Sequence, residues 1–423
     1  MKKLLLTSFL LLLCPVLSPG WGFFAHRTIT QLAVYSLPAP MRGFYYRHMP
    51  ELVHLSTAAD ERRDAEPTEA SKHFIYMDHY GDDPFGLMPK SWDKATAKYT
   101  ADTLQKYGTM PWAILGVKEK LTEAFRQRDT AAIVRLSADL SHYVGDAYAP
   151  LHTTINYDGQ LTKQEGIQTL WEHKLPERHI AEYKLDNEPA KYVKDPLSAI
   201  WQVVQESYGF LGATFDFEEQ VTRKFTPETK YVFSHKYGKT RRAYSDAFAD
   251  AYHEKQVGGM IAFRLRLAPT LVGSLWLTAW KDAGSPDLNG LLAKKPTKEE
   301  NEKLDEELKA WKDNQLVSQQ ILAALKKEKA RERPDLINAA KDMPPPPTEE
   351  AAAPAATPAA APAAGAPPVP GAPTPPAGTE KVKVKAKPAD GPAQKAKTKA
   401  ADKPAKKKKP AADGWDTPAG SGW

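Results

Sequence analysis

An all-α domain is the fold class this sequence predicts. Three observations carry it: apolar residues recur at helical spacing through most of 21–292, alternating strand patterns are scarce, and Pro- or Gly-rich turns separate the runs. The first run, His26 to Leu37, stops at Pro38. Trp112 to Phe125 follows Pro111, which suits a first helical turn. The strongest amphipathic segment is Ala131 to Tyr148. Ile133, Val134, Leu136, Leu140, Tyr143 and Val144 fall there at helical spacing, and Pro150 ends it. Leu197 to Tyr208 and Ala243 to Trp280 read as further helices, the last loosened by Gly258-Gly259. Gly81-Asp82-Asp83-Pro84 is a turn cluster.

The flanks read differently. Residues 1–20 have the layout of a secretory signal: Lys2 and Lys3, the apolar run Leu4 to Leu13, and small residues in Ser18-Pro19-Gly20. Cleavage after Gly20 would free the α-amine of Trp21 and export the protein to the periplasm or the outside. It would also remove Cys14, the only cysteine, so that no disulfide could form. No other segment has 18 consecutive apolar residues, so no transmembrane span is expected. Residues 293–343 read as a charged helical extension, with Leu304, Leu308, Trp311, Leu322 and Leu325 spaced for one face. The repeat breaks at Gln315 and Ser318, which favours a solvated or weakly docking helix over a coiled coil. Residues 344–423 are rich in Ala, Pro and Lys, and too poor in apolar groups to offset ordering entropy; a disordered tail is expected.

The net charge of +6 is mostly a property of these flanks. From Pro345 onward the balance is +5 and the leader adds +2, leaving the 21–344 body at −1. The body therefore has no basic excess to announce a polyanion. The run Lys406 to Lys409 could contact one, or serve as a solvated spacer.

Within the body, His142-Tyr-Val-Gly-Asp146 is followed by Pro150-Leu-His152. A spacing of four on a helix points both His142 and Asp146 the same way. Imidazole and carboxylate are donors zinc accepts at ~2.0–2.2 Å. Alone, the pair reads equally as a structural His–Asp hydrogen bond. Asp60 lies thirteen residues before His73, and either alone would read as a surface charge or a satisfied core histidine. Gln168 and Glu172 repeat the spacing of four, but glutamine is a poor zinc ligand.

Taken together, Trp21-Gly22 with His26, then Asp60, His73 and the His142/Asp146/Pro150/His152 string resemble the zinc-dependent phospholipase C and single-strand nuclease superfamily. The resemblance covers roughly Trp21 to Asp287. It implies a multi-helical phosphodiesterase domain over 21–292, holding up to three zinc ions. One ion would be held by Asp60, His73, His142 and Asp146. Its close neighbour would take the amine and carbonyl of Trp21, His26 and the bridging Asp146. The third would use His152, Glu172 and residue 168, where the family has histidine and this chain has Gln168. That departure leaves four options open: weak zinc binding, another metal, recruitment of His173 or His179, or no ion.

The chemistry implied is hydrolysis of a phosphodiester by a hydroxide held between two ions ~3.5–4 Å apart. By the same analogy Asp60 orients the attacking water and Arg63 clamps the phosphate. The substrate remains a choice between phospholipid and single-stranded nucleic acid. Arg63 and Trp171 match the nucleases; Glu172 matches the phospholipases; Glu61 stands where choline-selective enzymes have an aromatic. Phe23, Phe24, Tyr45, Tyr46, Tyr76 and Trp112 line a stacking or lipid pocket on one reading and form core on the other. A metal-stabilised surface-binding protein, its catalysis eroded at Gln168, is the alternative from another class.

Overall fold

A computed structural model describes residues 21–63, 65–236 and 239–326. The expected leader, the tail and the last part of the charged extension lie outside the described residues. The architecture is all-α, with one short antiparallel hairpin.

Its centre is built from α1 (Phe23–Ser36), α2 (Met49–Leu55), α3 (Ala58–Arg62), α4 (Met110–Gln127) and α5 (Thr130–Ala147). Pro111 occupies the first turn of α4, and the helix ends at Arg128 in a left-handed conformation. Asp129 then caps α5 by accepting from Ala132 N–H. From Leu136 to Ala147 every residue of α5 is buried, polar ones included, so this helix is enclosed rather than amphipathic over its second half. Its neighbours include α1, α2 and α4.

The short α6 (Leu175–His179) follows the π-turn Leu170–Lys174. Beyond it come α7 (Pro196–Gly209), capped by Asp195, and the strands β1 (Tyr231–Lys236) and β2 (Lys239–Tyr244), paired Tyr231↔Tyr244 and Phe233↔Arg242. Two helices, α8 (Asp246–Tyr252) and α9 (Gly258–Asp282), complete this part. Trp276 of α9 stacks on Tyr45 at 4.8 Å and donates from its indole N–H to Ser137 O at 3.1 Å. Arg264 is fully buried. Its guanidinium donates to Tyr148 O at 3.0 Å and Val203 O at 3.3 Å, and Ser207 Oγ donates to Ala147 O at 2.6 Å. The turn that leaves α5 is therefore clamped from α7 and α9, which fixes the approach to His152.

Two expectations need correction, and one left open is resolved. The run Ala243 to Trp280 is not one helix. Ala243 and Tyr244 belong to β2, and the break falls at Lys255 and Gln256 (φ +71°), just before the glycine pair. The hairpin escaped notice because Val232 and Phe233, adjacent in sequence, are both exposed, so β1 lacks the in/out alternation of a half-buried strand. Of the two readings of the charged extension, solvated or weakly docking, the described residues show docking through 326. Its helix α10 (Lys298–Lys312) is capped by the Thr297/Glu300 box and buries Trp311, whose indole N–H donates to Asn187 Oδ1 at 2.9 Å. Tyr35 of α1 donates to Glu307 at 2.8 Å, and Gln31 accepts from Ala323 N–H at 2.6 Å. The single apolar face does not persist, because α10 stops at Lys312; Leu322 is buried and Leu325 exposed.

Residues 246–282 also include an apolar window long enough to cross a membrane, but 61% of it is buried inside the fold, as in a core helix.

Gly108 positions the segment that carries His73. It sits at φ +106°, ψ 145°, where a Cβ would lie 2.1 Å from Phe74 O. The neighbouring backbones are laced by Tyr76 N–H to Tyr107 O at 2.8 Å and Met110 N–H to Phe74 O at 3.2 Å. Gly108→Ala is expected to destabilise the domain by about 3 kcal/mol or more, from strain plus the clash. Urea melts of the variant and the parent check this.

Candidate metal centre

Four elements bring the site together. His26 sits on the first turn of α1, Asp60 on α3, His73 at the end of a 3-10 turn, and His142 and Asp146 one turn apart on α5. Close approach of α1 to α5 depends on Gly145: a Cβ there would be 3.0 Å from His26 Nδ1.

The donor atoms converge. His73 Nδ1 lies 3.0 Å from both His142 Nε2 and Asp146 Oδ2. His142 Nε2 lies 3.4 Å from Asp146 Oδ2, and Asp60 Oδ1 lies 3.7 Å from each histidine nitrogen. These are five of the six edges of a four-donor polyhedron. Four donors placed tetrahedrally around zinc have edges of about 3.3–3.4 Å, so the spacing fits one cation. The other oxygen of Asp146, Oδ1, reaches His26 Nε2 at 3.4 Å. His26 stacks on His142 with ring centres 3.9 Å apart. One carboxylate thus joins two adjacent groups of donors, as a bridging ligand must.

A third group adjoins them. His152 Nε2 lies 3.5 Å from Glu172 Oε2, 3.5 Å from Gln168 Nε2 and 3.9 Å from Asp146 Oδ1. Trp21 is fully buried, its ring edge-on to Trp171 at 4.8 Å, and Gly22 N–H donates to Glu172 O at 3.0 Å. The start of the body is therefore fastened to the turn that carries Glu172. The structure thus brings His26, Asp60, His73, His142, Asp146, His152, Gln168 and Glu172 into one connected group, with Trp21 against its edge. Arg63 borders it, with Nη1 3.3 Å from Asp60 Oδ1. His173 packs on Gly22, whereas His179 belongs to a different cluster.

Burial and the mutual charges set the ionisation of the cluster. Burial presses the His26 imidazole down to about 4, helped by His142, and lowers His73 as well. Burial alone would raise Asp146, yet His142, His152, His26 and His73 hold it well below the carboxylate range. Asp60 is likewise lowered against burial, by His142 and His73. At His152 burial is outweighed by Asp146 and Glu172, raising it to about 9; burial raises Glu172. Among the described residues, His26 Nδ1 and Nε2, His73 Nε2, Asp60 Oδ2, Asp146 Oδ1, Gln168 Oε1 and both Glu172 oxygens are buried without a hydrogen-bond partner. Each such group costs about 1–3 kcal/mol. Buried His, Asp and Glu clusters of this kind can hold a metal ion; a cation between His26 Nε2 and Asp146 Oδ1 would satisfy two of these atoms, and one beside His152 would take the Glu172 carboxylate.

Outer contacts that the sequence did not reveal fix the ligand orientations. His142 Nδ1 is 2.7 Å from Ser56 O, which leaves Nε2 facing inward. His152 Nδ1 bonds His73 O in the same manner. Glu69 Oε1 lies 3.8 Å from His73 Nε2 and accepts from Tyr143 Oη. Only Glu69 had a sequence signal, its spacing of four from His73; the backbone carbonyls had none.

Of the six aromatics singled out, Tyr45 is core under Trp276, and Trp112 packs edge-on to Trp92 and Trp201. Phe23 is exposed, and Phe24 and Tyr46 are half-buried against the core. Only Tyr76 joins a stack beside the site: it lies 4.2 Å from Phe74, next to His73 in sequence, and 6.1 Å from Tyr157. All three rings of that stack are half-buried.

No protein-family model matches this chain, and a search of curated proteins finds no match to it.

Proposed function

We propose that this protein is an exported zinc-dependent phosphodiesterase of the phospholipase C and single-strand nuclease type, with its metal centre on Asp60, His73, His142, Asp146, His26 and Trp21. The observation that carries it is the edge geometry around Asp146, where two oxygens of one carboxylate serve two neighbouring donor groups. Zinc ions there would supply Lewis acidity and lower the pKa of water toward ~7. The chain's own part is to orient and neutralise. Asp60 faces the histidine pair and holds Arg63, whose guanidinium would take a phosphate oxygen in this reading. His152, Glu172 and Gln168 lie beside Asp146, where the leaving oxygen needs charge relief.

The aromatic stack favours a planar substrate over a lipid. Phe74 and Tyr76 are parallel to within 14°, and Tyr76 and Tyr157 to within 9°; these half-buried rings cover each other's facing sides, so an unpaired base would stack on the outer side of Phe74 or Tyr157. Burial raises the Tyr76 hydroxyl and the Arg63 charge opposes that rise, so in this reading phosphate and base contacts would adjoin.

The test uses chain processed to begin at Trp21, with single-stranded DNA, RNA, phosphatidylcholine vesicles and bis(p-nitrophenyl) phosphate, each with and without chelator. Chelator-sensitive cleavage of the single strands is expected. Phe74→Ala with Tyr76→Ala should cost more on the polymers than on the small diester, since each stacked base is worth about 1–3 kcal/mol. Hydrolysis of vesicles alone would return the phospholipase assignment. Failure on all four substrates would remove the phosphodiesterase one.

A further inference from the structure

A second cluster of ligand-type side chains shares no residue with the Asp146 group. His179 closes α6, and Glu182 ends the 3-10 turn Ile180–Glu182 that continues it. His253 opens the π-turn between α8 and α9. The rings of His179 and His253 stack 3.7 Å apart and within 9° of parallel. His179 Nδ1 lies 2.7 Å from Glu182 Oε1, and His253 Nδ1 lies 3.9 Å from Glu182 Oε2. One carboxylate therefore spans both Nδ1 atoms.

The surroundings fix the rings. Asp250 Oδ1 is 3.2 Å from His179 Nε2, and Arg178 grips the same carboxylate, with Nη2 2.7 Å from Oδ2. The far side of His253 lies against Gly258, where a Cβ would come 2.2 Å from Nε2. Among the described residues, Nε2 of His179 and Nε2 of His253 are buried and make no hydrogen bond. At 2.7 Å His179 Nδ1–H donates to Glu182 Oε1, so a cation would take the place of that proton, with Asp250 Oδ1, 3.2 Å from Nε2, as the acceptor for the other tautomer. This is the carboxylate–histidine arrangement found behind metal-ligating imidazoles. Two stacked imidazoles also resist carrying two charges, and burial with His179 lowers His253 below its ordinary range. Two imidazoles facing a carboxylate, with Glu182 largely exposed, make up a three-ligand zinc set with an open position.

We propose that His179, Glu182 and His253 form a separate zinc-type cation site, with Asp250 as an outer positioning residue. A bound ion would tie the end of α6, continuous with the turn that carries Glu172, to the π-turn that starts α9. The site would brace one wall of the Asp146 centre without being part of it.

The test removes the larger centre first. Full chain carrying Asp146→Asn is compared with the same chain also carrying His253→Ala or Glu182→Gln. Glu182 is 59% exposed, so the second variant leaves the fold intact. Zinc is titrated by calorimetry, and Co²⁺ is used as a spectroscopic probe. One equivalent fewer of zinc in both double variants is expected, with loss of one Co²⁺ absorption component and of the matching zinc-dependent rise in Tm. Asp250→Asn should weaken the remaining site by about 10–100-fold. Equal stoichiometry and identical Co²⁺ spectra with and without His253 and Glu182 would overturn the proposal and leave a hydrogen-bonded cluster only. None of these readouts depends on phosphodiester cleavage, so either assignment can fail alone.

Discussion

Asp146→Asn should empty the paired centre and abolish hydrolysis while leaving the helical body folded. The side chain is isosteric with asparagine, so α5 keeps its packing. What changes is charge and donor type. Asp146 Oδ2 faces His73 and His142 at 3.0 and 3.4 Å, and Oδ1 faces His26 and His152 at 3.4 and 3.9 Å. Asparagine turns one of those oxygens into an N–H₂ group, which donates where a cation needs a lone pair. It also removes a buried negative charge from among four imidazoles. Loss of an outer-sphere partner already costs about 10–100-fold in metal affinity or activity; loss of a ligand shared by two ions should exceed that. Metal analysis should show at least two zinc ions fewer, with kcat on single-stranded DNA falling by more than a hundredfold. Stability gives a second readout. Zinc should raise the Tm of the parent more than that of the variant, because only a state that binds the ions gains by mass action. A variant that retained both ions and its rate would sink the assignment of Asp146 as the bridge.

The parts of this centre that could be read in the sequence are those in which the side chain itself carries the signal. The spacing of four between His142 and Asp146 put both on one face of a helix, and the structure points both inward, buried, on α5. The order of His26, Asp60, His73 and His152 was legible only through resemblance, because no local period links residues on separate elements. Tyr76 was among the aromatics singled out, whereas Phe74 had a usable signal that was missed. His73, Ile75 and Met77 are buried while Phe74 and Tyr76 are half-buried, a period of two in an extended segment. The Ser56 and His73 carbonyls that aim the imidazoles were invisible, since a backbone acceptor has no letter of its own. The same limit hid the break at Gln256: its left-handed φ belongs to a residue type that seldom adopts one. Docking of the extension stayed one of two readings because charge dominates its composition. Its anchorage rests on a few contacts, chiefly Trp311 with Asn187 and Glu307 with Tyr35.

Gln168→His should raise the affinity of the third group of donors for zinc by at least about tenfold, and should speed the cleavage of substrates with poor leaving groups. Gln168 is 3% exposed, and its Nε2 lies 3.5 Å from His152 Nε2 while its Oε1 is buried without a hydrogen-bond partner. In this orientation the amide offers N–H₂ toward the place where a ligand atom is needed. Turned over, it would offer a neutral oxygen, a donor better matched to hard cations than to zinc. An imidazole supplies a nitrogen lone pair at similar reach, and Glu172, whose two oxygens are otherwise unsatisfied, can then close the set with His152. The rate effect should depend on the leaving group. A p-nitrophenolate departs with little help, so bis(p-nitrophenyl) phosphate should change little. A nucleoside or glyceride alkoxide builds up far more charge and gains most from a cation beside it. Metal content rising toward three per chain, with a rate gain confined to alkoxide leaving groups, would show that glutamine holds this site back. Three zinc ions already bound by the parent, with neither content nor rate altered by Gln168→His, would show that the amide serves as a ligand as it stands.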